Sequence, residues 1–495
     1  MMKKIIFMIL IVAALSAFMC INTFCEEAVL VDATAESTDF RSTDAMLDGK
    51  RTSYAVADGQ SLLTLTKTGD AVHLYIEFDL VPDSWTLTDP ATGKSFVAGK
   101  NGFLHEYINI PQVLGDRADS LELRFPSGTS IADIYLYSEG ELPSHLQTWS
   151  EPLEEADIML ISSHSDDEQL FFAGVLPYYA IERQLKVQVV YIVQHFSVGD
   201  ERNHIRSHEQ LDGLWTVGIR SYPVMTDFPD VYSESTDRET AFKQAEKAFG
   251  NYGVTYEDFC SYLTECIRRF KPLVVVSHDL DGEYGHGTHV LCASALTEAI
   301  GFAADSEKYP DSYEKYGSWQ VEKTYLHLYE ENKITMDWDI PYDSMGGKTP
   351  FQMTQEGFGC HKSQHWCWFN DWIYGKNNNI TKATQITYCS PCEYGLYDSR
   401  VGADVVGGDF MENVIPRSQR KTEVEKLPGT NENMSPAESE ELPDSTLARI
   451  TLDSPVPRQR DNVVIIIAVS VLVIALSSVI IIICTQNKRK RRRRR

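Results

Sequence analysis

Apolar and polar positions alternate in two different textures along the chain. From about residue 28 to 148 the apolar positions come in short alternations: Leu63-Thr64-Leu65-Thr66, residues 72–78, Leu121-Glu122-Leu123-Arg124-Phe125 and Ile134-Tyr135-Leu136-Tyr137. These stretches are rich in β-branched and aromatic side chains, and Gly, Pro, Asp and Ser turn signals separate them, which is the pattern of strands. No helical period of useful length interrupts them, so residues 26–148 predict an all-β sandwich of the jelly-roll type. From about 149 the texture changes. Ile158-Met159-Leu160-Ile161, residues 187–193 and residues 273–276 are continuous apolar runs, as in strands buried on both faces. Between them lie amphipathic stretches: Gln169 to about Arg183, one containing Arg206, Glu209, Leu211 and Trp215 that ends near Gly218, and residues 256–270. This succession predicts an α/β domain over 149–415, a Rossmann-like, mostly parallel sheet with helices on both faces.

The two ends carry a different pattern. Residues 1–25 combine a basic start, an apolar core and small or polar residues, the outline of a secretory signal peptide. Residues 416–462 hold six prolines, many Ser, Thr and Glu, and no Phe, Trp or Tyr. Such a segment cannot bury enough apolar surface to fold alone and reads as a disordered stalk. Residues 463–484 are 22 positions without a charge, followed by a basic tail at 485–495. Length and flanking charge predict a C-terminal transmembrane helix, with the N-terminal ectodomain outside and the tail in the cytoplasm. The expected localisation is therefore the cell membrane, by a single pass.

Charge narrows the partners. The formal net charge is −26, and eight of the 45 Lys and Arg sit in residues 488–495, leaving 37 against 71 acidic residues elsewhere. A body that acidic does not suit nucleic acid. Seven cysteines lie between the two ends, of which Cys360/Cys367 and Cys389/Cys392 have spacings open to disulfides or to a second, structural zinc site.

Candidate chemistry gathers where two of the apolar runs stop. The first opens into His164, Asp166, Asp167 and Glu168; the third into His278, Asp279, Glu283, Tyr284, His286 and His289. Carboxyl ends of parallel strands are where α/β sheets bind ligands. Carboxylates crowded on one turn repel one another, which a bound cation relieves. One His and one Asp from the first strand end, with one His from the other, would hold zinc while leaving a position for water. The alternative is a solvated acidic helix start. His278 and Asp279 either orient a ligand or are polar strand ends, and they stay outside the predicted site.

His164-Ser165-Asp166-Asp167-Glu168 resembles the H-P-D-D-E signature of the PIG-L/LmbE family of zinc-dependent N-acetylglucosaminyl deacetylases. Gly285-His286-Gly287-Thr288-His289 resembles its later H-P-D-H, and His361-Lys362-Ser363-Gln364 its H-x-S-Q, so the likeness covers roughly 156–370. Ser165 stands in place of the proline, and Gly287-Thr288 in place of Pro-Asp. The resemblance implies Zn2+ on His164, Asp167 and His289, with Asp166 as general base and protonated His286 stabilising the oxyanion and then assisting the amine. Tyr284 matches a family tyrosine near that oxyanion, or packs against its loop. Arg206 matches a substrate-binding arginine, or pairs with Glu209 on its own helix. The sandwich loosely resembles galactose-binding-like modules, with a plain packing role as the alternative. The expected activity is that of a membrane-anchored, extracellular zinc-dependent hydrolase removing acetyl from N-acetylglucosamine-type groups of a glycan or glycoconjugate. The alternative is an inactive cell-surface carbohydrate-binding protein.

Overall fold

The computed structural model describes residues 26–37, 39–193 and 202–420. Its N-terminal part is two antiparallel sheets of five strands. One runs in the order Thr34–Glu36, Ser61–Thr66, Ser120–Phe125, Trp85–Thr88, Ser95–Ala98. The other runs Phe40–Arg41, Ala55–Ala57, Ser130–Tyr137, His73–Phe78, His105–Asn109. In Ser61–Thr66 every second residue is buried, as the two-residue period of a strand requires when one face meets a core. That core joins Leu63, Leu65, Leu74, Ile76, Phe78, Leu121, Leu123 and Phe125.

His73–Phe78 is buried on both faces, which a free sandwich would not allow. Its second face is covered by the α/β part. Glu77 accepts from Arg51 Nε at 2.7 Å, and Arg51 Nη1 donates to Asp212 on the helix Arg202–Thr216 at 2.5 Å. One turn earlier on that helix, His208 Nδ1 lies 2.6 Å from His105 Nε2, with the rings stacked 4.9 Å apart. A further turn back, His204 meets Asp79 at 3.1 Å. Spacing of four puts His204, His208 and Asp212 on one side of the helix.

The α/β part is a seven-stranded sheet in the order Val224–Phe228, Val187–Val193, Ile158–Ser162, Val274–Ser277, Lys323–His327, Glu393–Ser399, Lys333–Thr335. The first five strands are parallel, and the last two pair antiparallel. Alternate residues of the central strands feed two cores. Met159, Ile161 and Val275 pack with Phe259, Leu263, Leu291 and Leu296, from the helices Tyr256–Phe270 and Gly287–Ala304. Ile158, Leu160 and Val276 pack on the opposite side with Leu211, Leu214, Phe351 and Phe358. Strand order reverses at Ile158–Ser162, so a crevice opens beyond its carboxyl end.

Three expectations are corrected. The amphipathic stretch from Gln169 to Arg183 is not one helix. It is a series of turns, a three-residue helix Val175–Pro177 and a π-turn Tyr178–Glu182. Gly174 breaks it with φ 88°, and a Cβ there would come within 2.4 Å of the Trp338 ring.

Among the described residues no helix is long and apolar enough to cross a membrane. The longest, Gly287–Ala304, has 18 residues and carries His289 and Glu298, against roughly 20 apolar residues for a span. Among the described residues this corrects the single-pass membrane reading and the cell-membrane placement drawn from it. The signal 1–25, the span 463–484, the tail 485–495 and residues 421–462 of the stalk lie outside the described residues.

The packed chain also runs beyond 415. Arg417 bonds Asp157, Ala156 and Glu155, and Arg420 reaches Glu322. The seven cysteines are free thiols.

Candidate metal centre

Ile158–Ser162 delivers the chain into a tight turn in which Leu170 N–H is shared between the Asp166 and Asp167 carbonyls. Within that turn and the start of Gly287–Ala304, three side-chain atoms converge. His164 Nδ1 lies 3.1 Å from Asp167 Oδ2 and 3.1 Å from His289 Nε2, and the last two are 3.2 Å apart. A tetrahedral ion with ligands at 2.0–2.2 Å would set its donors about 3.3 Å apart, so the triangle fits a divalent cation.

The outward nitrogens of both imidazoles are anchored on carboxylates. His289 Nδ1 donates to Glu283 Oε2 at 2.7 Å, and His164 Nε2 to Asp230 Oδ1 at 3.0 Å. That fixes the tautomer and turns the other nitrogen of each ring toward the shared point, the usual support of metal-binding histidines. Titration agrees. Burial pushes the Asp167 carboxyl up, but His289 and His164 outweigh it and hold it well below its ordinary range. Burial would lower the two histidines, yet Asp230 and Asp167 raise His164 well above its usual value, and Asp167 and Glu283 raise His289 to about 9. Without a cation, protons on these rings supply the balancing positive charge.

Glu283 is the hub beneath this triangle, and sequence reasoning passed over it. Fully buried, it receives Nδ1 donors from His278 at 2.8 Å, His289 at 2.7 Å and His327 at 2.7 Å, plus the Asp279 N–H at 3.2 Å. Burial opposes its charge, but His278 and the three donated bonds hold it well below the carboxylate range. His278 Nε2 in turn accepts the Ser163 N–H at 2.8 Å. Burial and Glu283 raise Asp279 to about 6. His327 closes the strand Lys323–His327, so the rule that chemistry sits at strand ends would have found it.

Asp230 was missed as well. It follows the edge strand Val224–Phe228 and touches His164, the Thr288 hydroxyl at 3.1 Å, His286 Nε2 at 3.7 Å and the Tyr232 side chain. The departure from the familiar motif has a local cause. A Cβ at Gly287 would meet the Val231 carbonyl at 2.7 Å, so glycine lets the Asp230 loop close on the helix start.

Asp166 accepts from Arg206 Nη2 at 3.0 Å, with both side chains buried. Burial raises Asp166 against the pull of Arg206. Glu209 on the same helix accepts the Ser363 amide and hydroxyl at 2.9 and 2.6 Å, which ties the His361-Lys362-Ser363-Gln364 turn to the site. Behind Asp166, His361 Nε2 lies 3.4 Å from Glu168 Oε1. Burial lifts Glu168 to about 8 and lowers His361 to about 4.

His286 is buried beside the triangle. Burial, then His289 and His164, hold it well below its usual value, so it rests neutral. Tyr284, in the left-handed region at φ 50°, lays its ring 5.5 Å from His286 and 5.7 Å from His289, and also against Phe171 and Phe369. All seven predicted site residues thus gather at one end of the sheet.

Residues 159–300 match the family model for PIG-L, described as GlcNAc-PI de-N-acetylase. A 1D-myo-inositol 2-acetamido-2-deoxy-alpha-D-glucopyranoside deacetylase of Rhodococcus jostii is 27% identical over 206 residues, 38% of this chain and 68% of its own length. The protein of the same name from Streptomyces scabiei is 24% identical over 199 residues, 37% of this chain and 60% of its own. The chain therefore spans 60% to 68% of the length of these relatives. The N,N'-diacetylchitobiose deacetylase of Pyrococcus horikoshii superposes over 50% of this chain and 84% of its own, with 14% identity and a TM-score of 0.34.

Proposed function

We propose that this chain, whose residues 159–300 match the PIG-L family of de-N-acetylases, hydrolyses acetyl from N-acetylglucosamine-type groups of a glycan or glycoconjugate, using Zn2+ held by His164, Asp167 and His289. The observation that carries this reading is the triangle of donor atoms at 3.1–3.2 Å with both histidines anchored on carboxylates. A zinc ion held by these three residues would supply Lewis acidity toward the attacking water and the amide carbonyl.

The remaining work falls to the chain's own side chains. Asp166 takes a proton from the attacking water, and Arg206 holds that carboxylate in place across 3.0 Å. The water oxygen joins the acyl carbon, the C–N bond breaks, acetate leaves, and the amine departs with the transferred proton. His286, held neutral rather than protonated as the resemblance implies, faces Asp230 and would donate its N–H to the developing oxyanion and assist the amine, whose proton is the one Asp166 took from the water. Tyr284 adds a second donor to the same oxygen. Arg206 also borders the place where the sugar must sit.

The test is acetate release from N-acetylglucosamine conjugates, with zinc counted per chain. Wild type should release acetate and stop on chelation. Asp167→Ala and His289→Ala should lose zinc and activity together, because three protein ligands leave no spare. Stoichiometric zinc in both variants would refute the ligand set. Sugar binding without turnover across the conjugates would refute the enzyme.

A further inference from the structure

The crevice has a rim that the hydrolytic chemistry does not use. Tyr232 is 70% exposed, Trp368 45% and Tyr388 58%, and ring contacts tie all three to the residues beside the metal centre. Large exposed aromatics grouped at a site mark a binding surface rather than scatter. Here they are continuous with the reacting end. The Tyr232 ring lies 4.7 Å from His286 on one side. On the other, Tyr284 is 5.5 Å from His286, Trp368 is 5.6 Å from Tyr284, and Tyr388 is 6.4 Å from Trp368.

The rings are also held in place. Phe369 packs on Trp368 at 4.3 Å, and Trp372 Nε1 donates to the Tyr388 carbonyl at 2.9 Å. A rigid ring exposed to water gives up little side-chain entropy when something covers it.

We propose that Trp368 and Tyr388 form a stacking platform for further sugar units, so that the substrate is an oligosaccharide of N-acetylated hexosamines rather than a single sugar. The proposal rests on the deacetylase reading of the same site and adds the length of its substrate. The chemistry fits: a pyranose presents a face of C–H groups that lies flat on an aromatic plane, while its hydroxyls stay in water. One N-acetylated sugar at His286 would cover Tyr284 or Tyr232. The rings beyond Tyr284 are left for the next units of the same chain.

The test measures kcat/KM for acetate release by the zinc-loaded protein on N-acetylglucosamine, on its β-1,4-linked dimer through hexamer, and on an octyl N-acetylglucosaminide. The expected result is a rise of about 10-fold or more from monosaccharide to hexamer, carried mostly by KM, the yield of two or three stacking contacts. Tyr388→Ala, at an exposed position, should collapse the hexamer-to-monosaccharide ratio to within about threefold, and Trp368→Ala likewise. A ratio near one in wild type would overturn the platform, as would variants that lower both substrates equally. An octyl glycoside that gains as much as the hexamer would replace the glycan with a lipid chain and also overturn it. Tryptophan fluorescence titrated with the hexamer separates the two readings. Binding weakened by Tyr388→Ala, with no acetate from any substrate, would keep the platform and remove the deacetylase. No binding and no acetate would remove both.

Discussion

Replacing Glu283 with glutamine tests whether the metal triangle is made by its ligands alone or by the carboxylate beneath them. Glu283 accepts from the Nδ1 atoms of His278, His289 and His327 at 2.7–2.8 Å, and nothing in that buried position supplies another acceptor for all three. An amide of the same shape offers one oxygen and turns an NH2 toward at least one imidazole N–H. Two donors then face each other, and a ring must flip or withdraw. If His289 yields, its Nε2 no longer points at His164 and Asp167. Loss of such a supporting carboxylate costs about 10–100-fold in metal affinity, or ~1.4–2.7 kcal/mol. An orphaned buried donor adds about 1–3 kcal/mol of lost stability. Competition against a chromophoric chelator reads the first quantity, and a denaturant midpoint reads the second. Zinc affinity within twofold of wild type, at an unchanged midpoint, would refute the claim that Glu283 orients His289.

Asp166→Asn should keep its zinc, since Asp166 is bonded to Arg206 and supplies none of the three atoms of the triangle. Its kcat should fall ~10²–10⁴-fold with little change in KM, and a zinc-free variant would make Asp166 a ligand instead. Gly287→Ala places a Cβ 2.7 Å from the Val231 carbonyl, so the loop bearing Asp230 must move. Activity should drop while far-ultraviolet dichroism stays native, and full activity would show that the loop yields without consequence. Stability should depend on the buried His105–His208 pair. Burial depresses both from 6.5, so the unfolded chain binds protons that the folded one refuses. Their contribution is fully present above about pH 6.5 and is lost as pH falls below it. The midpoint of thermal unfolding should decline from pH 6.5 to 5, and His208→Asn should flatten that decline.

The legible part of the site was the part at the ends of apolar strands. Ile158-Met159-Leu160-Ile161 and Val274-Val275-Val276 announce their own termini, and His164, Asp166, Asp167, His286 and His289 follow directly. Asp230 follows Val224–Phe228, an edge strand whose residues are only partly covered, so no apolar run marks its end. His327 ends a strand that starts with a buried lysine. Lys323 is tolerated there because Asp404 and the Glu412 carbonyl receive its ammonium, a compensation 80 or more residues away that local pattern cannot carry. Glu283 was visible as a letter among seven polar neighbours, but its three histidine partners come from two strand ends and a helix. The stretch after Asp167 misled in the other direction. Its amphipathic spacing suits a helix, and only the close approach of Trp338 to Gly174 shows why the backbone turns away.

The helix Arg202–Thr216 has a consequence for how this protein can change over generations. One side gives His204, His208 and Asp212 to the sandwich, and another gives Arg206 and Glu209 to the crevice. A recombination event that exchanged the sandwich for another of similar shape would discard Asp79, Arg51 and His105, and would leave that helix with buried charges facing the wrong surface. The two halves are therefore bound to be inherited together, and substitutions at Arg51 and Asp212 should appear in descendants as pairs.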